Sequence, residues 1–226
     1  ETGRLQADVT VYMTDITGAQ VSFIDRILDR NITKNIADQE SDGLEFSVRF
    51  AATDSLTLSL YGAFLDAEIV SFPDAVCTED ERATGRCREE DDPTGPEGTI
   101  DRSGSPARNA PDWQFTGNVA WELPTIVDGF TTDLDLTFMA TADYVTDRSF
   151  SRVVDMGQEE DINVSLRFGP EEGVWSFLVY GRNLLEPRPR YNPELDLAGD
   201  GILTDSGQVT TVNYASYGAR FTYNFE

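Results

Sequence analysis

Runs in which polar and apolar residues alternate with a period of two recur along this 226-residue chain, and that period selects strand over helix. Leu5, Ala7, Val9, Val11 and Met13 alternate with Gln6, Asp8, Thr10, Tyr12 and Thr14. Leu44 to Phe50 and Leu56 to Phe64 repeat the pattern, followed by Trp113 to Leu123, Leu134 to Phe138 and Ile162 to Phe168. Trp175 to Val179 and Tyr217 to Phe225 complete eight such runs. No comparable stretch has apolar residues 3.6 apart, so helix is at most a minor component.

The connections carry the second signal. Only Thr53-Asp54-Ser55 separates runs two and three, and Pro124 to Phe130 and Gly169 to Gly173 are comparably brief. The intervening connections are longer, at 27–42, 71–110, 148–160 and 186–210. Short and long therefore alternate. A soluble sandwich has no reason to gather its long loops at one end, whereas a barrel through an outer membrane has short periplasmic turns and long outer loops. The sequence predicts an all-β fold: an antiparallel transmembrane β-barrel segment of about eight strands.

Aromatic placement agrees. Phe50, Trp121, Phe130, Phe168, Trp175 and Phe225 sit at strand ends beside the short turns, where an interfacial girdle belongs. The opposite face carries Glu45, Arg49, Asp133, Asp135 and Arg167, which a wet lumen tolerates and a dry core would not. Asp and Glu outnumber Lys and Arg by 41 to 17, a net charge of −24 that excludes nucleic acid as a partner. No apolar run is long enough for a transmembrane helix. The opening Glu1-Thr2-Gly3-Arg4 has no signal-like core, so any targeting peptide lies upstream or has been removed. Histidine is absent, which removes Ser-His-Asp and Cys-His catalysis and histidine-based zinc sites. Cys77 and Cys87 are the only cysteines and lie in an acidic stretch with Gly and Pro, so a loop disulfide is expected, two unpaired thiols being the alternative.

Several segments resemble TonB-dependent outer-membrane receptors. Ser41-Asp42-Gly43-Leu44-Glu45-Phe46 resembles a strand start of that family, and Phe64-Leu65-Asp66-Ala67-Glu68 a recurrent strand ending. Val179-Tyr180-Gly181-Arg182-Asn183-Leu184-Leu185 is similar to a segment near the family's C terminus, with Glu186 where Asp is commoner. Tyr217 to Phe225 resembles the closing strand, although Glu226 follows the terminal aromatic. The resemblance implies that residues 1–226 are the C-terminal part of a 22-stranded barrel whose plug domain lies outside this chain. It also implies uptake of a scarce nutrient of the siderophore, cobalamin or oligosaccharide class. The implied partners are outer-membrane lipid and lipopolysaccharide, the small nutrient ligand, and the TonB complex acting through the plug.

Individual sites are less defined. Asp196, Asp200 and Asp205 surround Gly199 and Gly201 in partial imitation of a Ca²⁺ loop, but Ala198 stands where a further oxygen ligand belongs. A solvated acidic loop is the other reading, and no other cofactor is expected. Between Glu79 and Asp101 lie nine acidic residues with Arg82, Arg86 and Arg88, a hydrated outer loop that would attract cations. Tyr144, Arg148, Arg152, Arg188 and Tyr191 are candidate ligand contacts above the lumen. Asp133 and Asp135 share a strand face, but no nucleophile or second base accompanies them, so an enzyme is not expected. Two other readings stay open. One is a self-contained eight-stranded barrel with a structural or adhesion role, and the other is a soluble β-sandwich binding module.

Overall fold

A computed structural model describes residues 4–25, 30–77, 79–145, 155–185, 191–192, 208–209 and 214–225. The eight alternating runs become eight long strands: β1 (Leu5–Asp25), β2 (Arg30–Ala51), β3 (Leu56–Ser71), β4 (Trp113–Glu122), β5 (Phe130–Thr141), β6 (Glu159–Pro170), β7 (Trp175–Arg182) and β8 (Ser216–Tyr223). Every strand pairs antiparallel with its neighbours in sequence, giving one sheet in the order β1 to β8. Short bridges and a single-turn helix, α1 (Glu79–Ala83), decorate the longer connections.

Register turns the sequence alternation into two continuous faces. Leu5, Phe50, Leu58, Val119, Leu136, Val164, Gly181 and Tyr217 occupy one cross-strand row over the full sheet. The adjacent row on the other face reads Gln6, Arg49, Ser59, Asn118, Thr137 and Asn163. A slip of one residue at any seam would exchange the two sets, so the apolar face itself fixes the register. The row also climbs. Leu58 is three residues beyond the short turn at Ser55, but Leu136 is seven beyond the turn at Gly129. Such a climb is the stagger of tilted barrel strands.

Protein does not cover the apolar face among the described residues: Val9 is 67% exposed, Met13 80% and Phe221 63%. Burying such a face against a second sheet is what a water-soluble sandwich requires. The single uncovered sheet overturns that reading, whereas lipid is the covering a membrane barrel needs. The self-contained eight-stranded barrel requires β1 to pair with β8. Among the described residues β1 pairs only with β2 and β8 only with β7, leaving both as edges of an open sheet.

The expected connection at 27–42 is corrected. β1 and β2 run on to Asp25 and from Arg30 as one hairpin, and β3 continues to Ser71. At 21 and 22 residues, β1 and β2 are about twice the 9–11 residues that cross a bilayer. Beyond the membrane no lipid demands alternation, and Thr17, Gly18, Ala19 and Gln20 carry no period-two pattern; only Ala19 and Gln20 of these have partners in the register, Ala37 and Asn35. A bulge between Ile16 and Gln20 marks the change, where Gly18 takes a positive φ of 66° and its N–H donates to Asp38 Oδ1 at 2.8 Å. The outward face changes character below the bulge, opposite Met13. Below that level lie Leu44 and Phe64, and from it upward Asp42 opposes Asp66, while Glu40 lies between Asp15 and Glu68.

Candidate functional site: the lumenal wall and its stapled loop

The polar face forms a groove of about 360 Å³ lined by Asp8, Thr10, Glu45, Ser47, Tyr61 and Gln114, among others. These residues meet because β1 to β4 are consecutive and in register, with Thr10 opposite Glu45, Glu45 opposite Ala63, and Ala63 opposite Gln114. Ser47 Oγ donates to Asp8 Oδ2 at 3.3 Å, and Asn118 Nδ2 donates to Thr137 Oγ1 at 2.8 Å. Glu45, Arg49, Asp133, Asp135 and Arg167 share this face, as alternation predicted, and Arg167 lies opposite Asp133. Tyr12 lies over Gly43 and Tyr180 over Gly218, so aromatic rings cover the glycine gaps in the wall. This wall can offer hydrogen bonds and charge to a polar solute. Among the described residues no group of His, Cys, Asp or Glu is arranged to hold a metal ion.

Two aromatic clusters bound the apolar band on the other face. Beside the short turns, Phe130 stacks on Phe168 at 5.1 Å, and Trp175 bridges that pair to Phe221 with centroids 6.0 Å apart. Toward the long loops, Phe115 contacts Phe64 and Trp113, each at 5.4 Å. Rings at both levels suit the two interfaces of a bilayer.

The connection between β3 and β4 is a small folded unit. Cys77 and Cys87 form the expected disulfide, their Cα atoms 6.1 Å apart. Arg102 Nη2 lies 2.7 Å from the Glu81 carboxylate, with both side chains nine-tenths buried. Arg88 donates to Pro73 O, Thr94 Oγ1 and Thr99 Oγ1 at 2.6, 3.0 and 2.9 Å, and lies 3.1 Å from Asp74 Oδ1. Thr94 hydroxyl and backbone N–H donate to Asp92 and hold its carboxyl below the ordinary range, and Ser103 does the same for Asp101. The ion pair and the core beneath it escaped sequence reasoning.

Of the other candidates, only Tyr144 and Tyr191 are among the described residues. Tyr144 lies in a two-residue bridge, opposite Met156, and Tyr191 pairs through its backbone with Val209. Arg148, Arg152 and Arg188 lie outside the described residues, as do Asp196, Asp200 and Asp205. The expected calcium set and most of the expected ligand set thus fall outside the described residues.

An antiparallel wall with one lipid-suited face, one polar face and long connections at a single end defines the class as an outer-membrane-type β-barrel. The chain belongs to the TonB-dependent receptor-like β-barrel family, whose description matches residues 1–225. That family is one of receptors in Gram-negative outer membranes. Comparison with curated protein sequences gives no match. Among solved structures, the chain is similar to the ferric yersiniabactin uptake receptor FyuA from Yersinia pestis, with a TM-score of 0.59 and 12% identity over 97% of this chain. It is also similar to the siderophore receptor PiuA from Acinetobacter baumannii, with a TM-score of 0.54 and 13% identity over 96% of this chain. Those alignments cover 26% and 25% of the two receptors, so the chain spans about a quarter of their length.

Proposed function

We propose that this chain is the C-terminal part of the barrel of an outer-membrane receptor that takes up a scarce nutrient, driven by TonB through a plug domain outside residues 1–226. The observation that carries the reading is the open wall. A sheet edge facing hydrocarbon leaves its N–H and C=O groups unsatisfied at several kcal/mol each, so β1 and β8 require further strands beside them. Completion to 22 strands leaves a lumen wide enough to hold a plug. A siderophore, cobalamin or oligosaccharide is the substrate class the family relationship favours, and lipopolysaccharide is the outer partner of the band's upper edge.

Sidedness tests the architecture. An epitope tag at Gly95 or Gly199 is expected to bind antibody on intact cells. A tag at Asp54 or Glu171 is expected to bind only after the outer membrane is permeabilised. Equal exposure of tags at Asp54 and Gly95 on intact cells would sink the reading, because each closed-barrel strand reverses sides.

A further inference from the structure

We propose that the described part of the connection after β3, residues 72–77 and 79–107, is a fixed sill on the inner side of the barrel mouth, narrowing the passage above the lumenal groove instead of opening and closing as a lid. The inference rests on the barrel reading and adds a direction and a fastening to one outer connection. Direction follows from parity. Ile69 falls on the same face of β3 as Ser59, Tyr61 and Ala63, which is the polar lumenal face. Its side chain is nevertheless 0% exposed, packed in a cluster with Ala37, Phe72 and Ala75 and flanked by Ala19 and Ile100. The segment therefore folds inward, over the lumen, and not outward along the lipid face.

Its return limb is tied to the wall just above the groove. Ser105 and Pro106 pair with Ile69 and Glu68, Ala107 N–H donates to Ala67 O at 2.8 Å, and Leu65 N–H donates to Asp112 O at 2.9 Å. Three fastenings then hold the body of the segment: the Cys77–Cys87 bond, the buried Glu81–Arg102 pair and the four contacts of the Arg88 guanidinium. Segments that open readily have few buried contacts and exposed backbone hydrogen bonds. This one has a buried anchor, a covalent staple and a desolvated ion pair, which oppose opening. A large solute is turned away at this side of the mouth, while a small one passes beneath.

The test is chemical access to a cysteine in the groove of the full-length protein on intact cells. Gln114→Cys is labelled with N-ethylmaleimide and, separately, with a bulky polyethylene glycol maleimide. Three backgrounds are compared: the native disulfide, Cys77→Ala with Cys87→Ala, and Glu81→Gln with the disulfide kept. N-ethylmaleimide is expected to react at a similar rate in all three. The bulky reagent's rate relative to it is expected to rise on the order of tenfold in the unstapled background, because removing the cross-link frees the loop's unfolded states. Glu81→Gln is expected to raise that ratio in the same direction. Failure of N-ethylmaleimide to label Gln114→Cys in any background would overturn the lumenal reading itself. Normal labelling by N-ethylmaleimide with an unchanged ratio in both variants would overturn the sill alone.

Discussion

Replacing Leu136 by arginine tests the membrane assignment at the depth where the cost is greatest. On β5 the lipid-side positions run from Phe130 to Ala140, ten residues apart. At about 3.4 Å per residue the stretch is about 34 Å long. A strand tilt near 45° reduces that to about 24 Å, close to the ~25 Å apolar band of such barrels. Leu136 is six residues above Phe130, about 14 Å up by the same arithmetic. It therefore sits near the midplane. Leu136→Arg is expected to destabilise the folded barrel by about 2–4 kcal/mol, and Phe130→Arg at the rim by about 0–1 kcal/mol. Thr137 stands at the same height but faces the lumen, where its substitution loses one hydrogen bond from Asn118. Thr137→Arg is expected to cost about 1 kcal/mol. Denaturant unfolding of the full-length protein in lipid vesicles, followed by heat-modifiable electrophoretic mobility, reads all three variants. Equal cost for Leu136→Arg and Thr137→Arg would refute the assignment of faces.

Other consequences are as direct. A Cβ on Gly62 would lie within 2.6 Å of ring atoms of Phe46 and Phe115, so Gly62→Ala is expected to cost about 1–3 kcal/mol in the same unfolding assay. Intact mass after alkylation, with and without reductant, is expected to show Cys77 and Cys87 protected until reduction; two freely alkylated thiols in native protein would contradict the disulfide. Glu81→Gln leaves a buried guanidinium without its counter-charge and is expected to destabilise the stapled loop by about 3–5 kcal/mol, read by limited proteolysis of the loop against an intact barrel. The Asp101 carboxyl lies below its ordinary value of 3.8 when folded, so its contribution is complete above that value and lost as pH falls through the folded pKa. The hydrogen-exchange protection factor around Ser103, taken relative to the intrinsic exchange rate at each pH, is expected to fall in that acid window and to stay flat above it, and Asp101→Asn is expected to weaken the acid dependence.

The transmembrane wall was legible in the sequence because lipid imposes a pattern on it. Leu134, Leu136 and Phe138 must all face hydrocarbon, and their neighbours Asp133, Asp135 and Thr137 must not. Where lipid ends the constraint ends, and β1 and β2 gave no sign that they pair as far as Asp25 and Arg30. The core of the stapled loop was hidden for another reason. Ile69, Phe72 and Ala75 come from one short stretch and Ala37 from another strand, and so few apolar residues generate no strand period. The cysteines were visible as a pair because no others compete, but nothing local matched Glu81 to Arg102, 21 positions away.

The change on the outward face from Leu44 and Phe64 to Asp42 and Asp66 takes place within one pleat, and it acts as a waterline. If the wall sank by that pleat, Asp42 and Asp66 would enter hydrocarbon together, at up to about 1 kcal/mol apiece so close to the interface. A second pleat would submerge Asp15, Glu40 and Glu68. If the wall rose, the rings of Phe130, Phe168 and Trp175 would leave one interface, and those of Phe64 and Trp113 would be lifted into the sugar layer. Both displacements are uphill, so the protein floats at one draught. In the receptor proposed above, a load transmitted through the lumen would then meet a hull that does not bob.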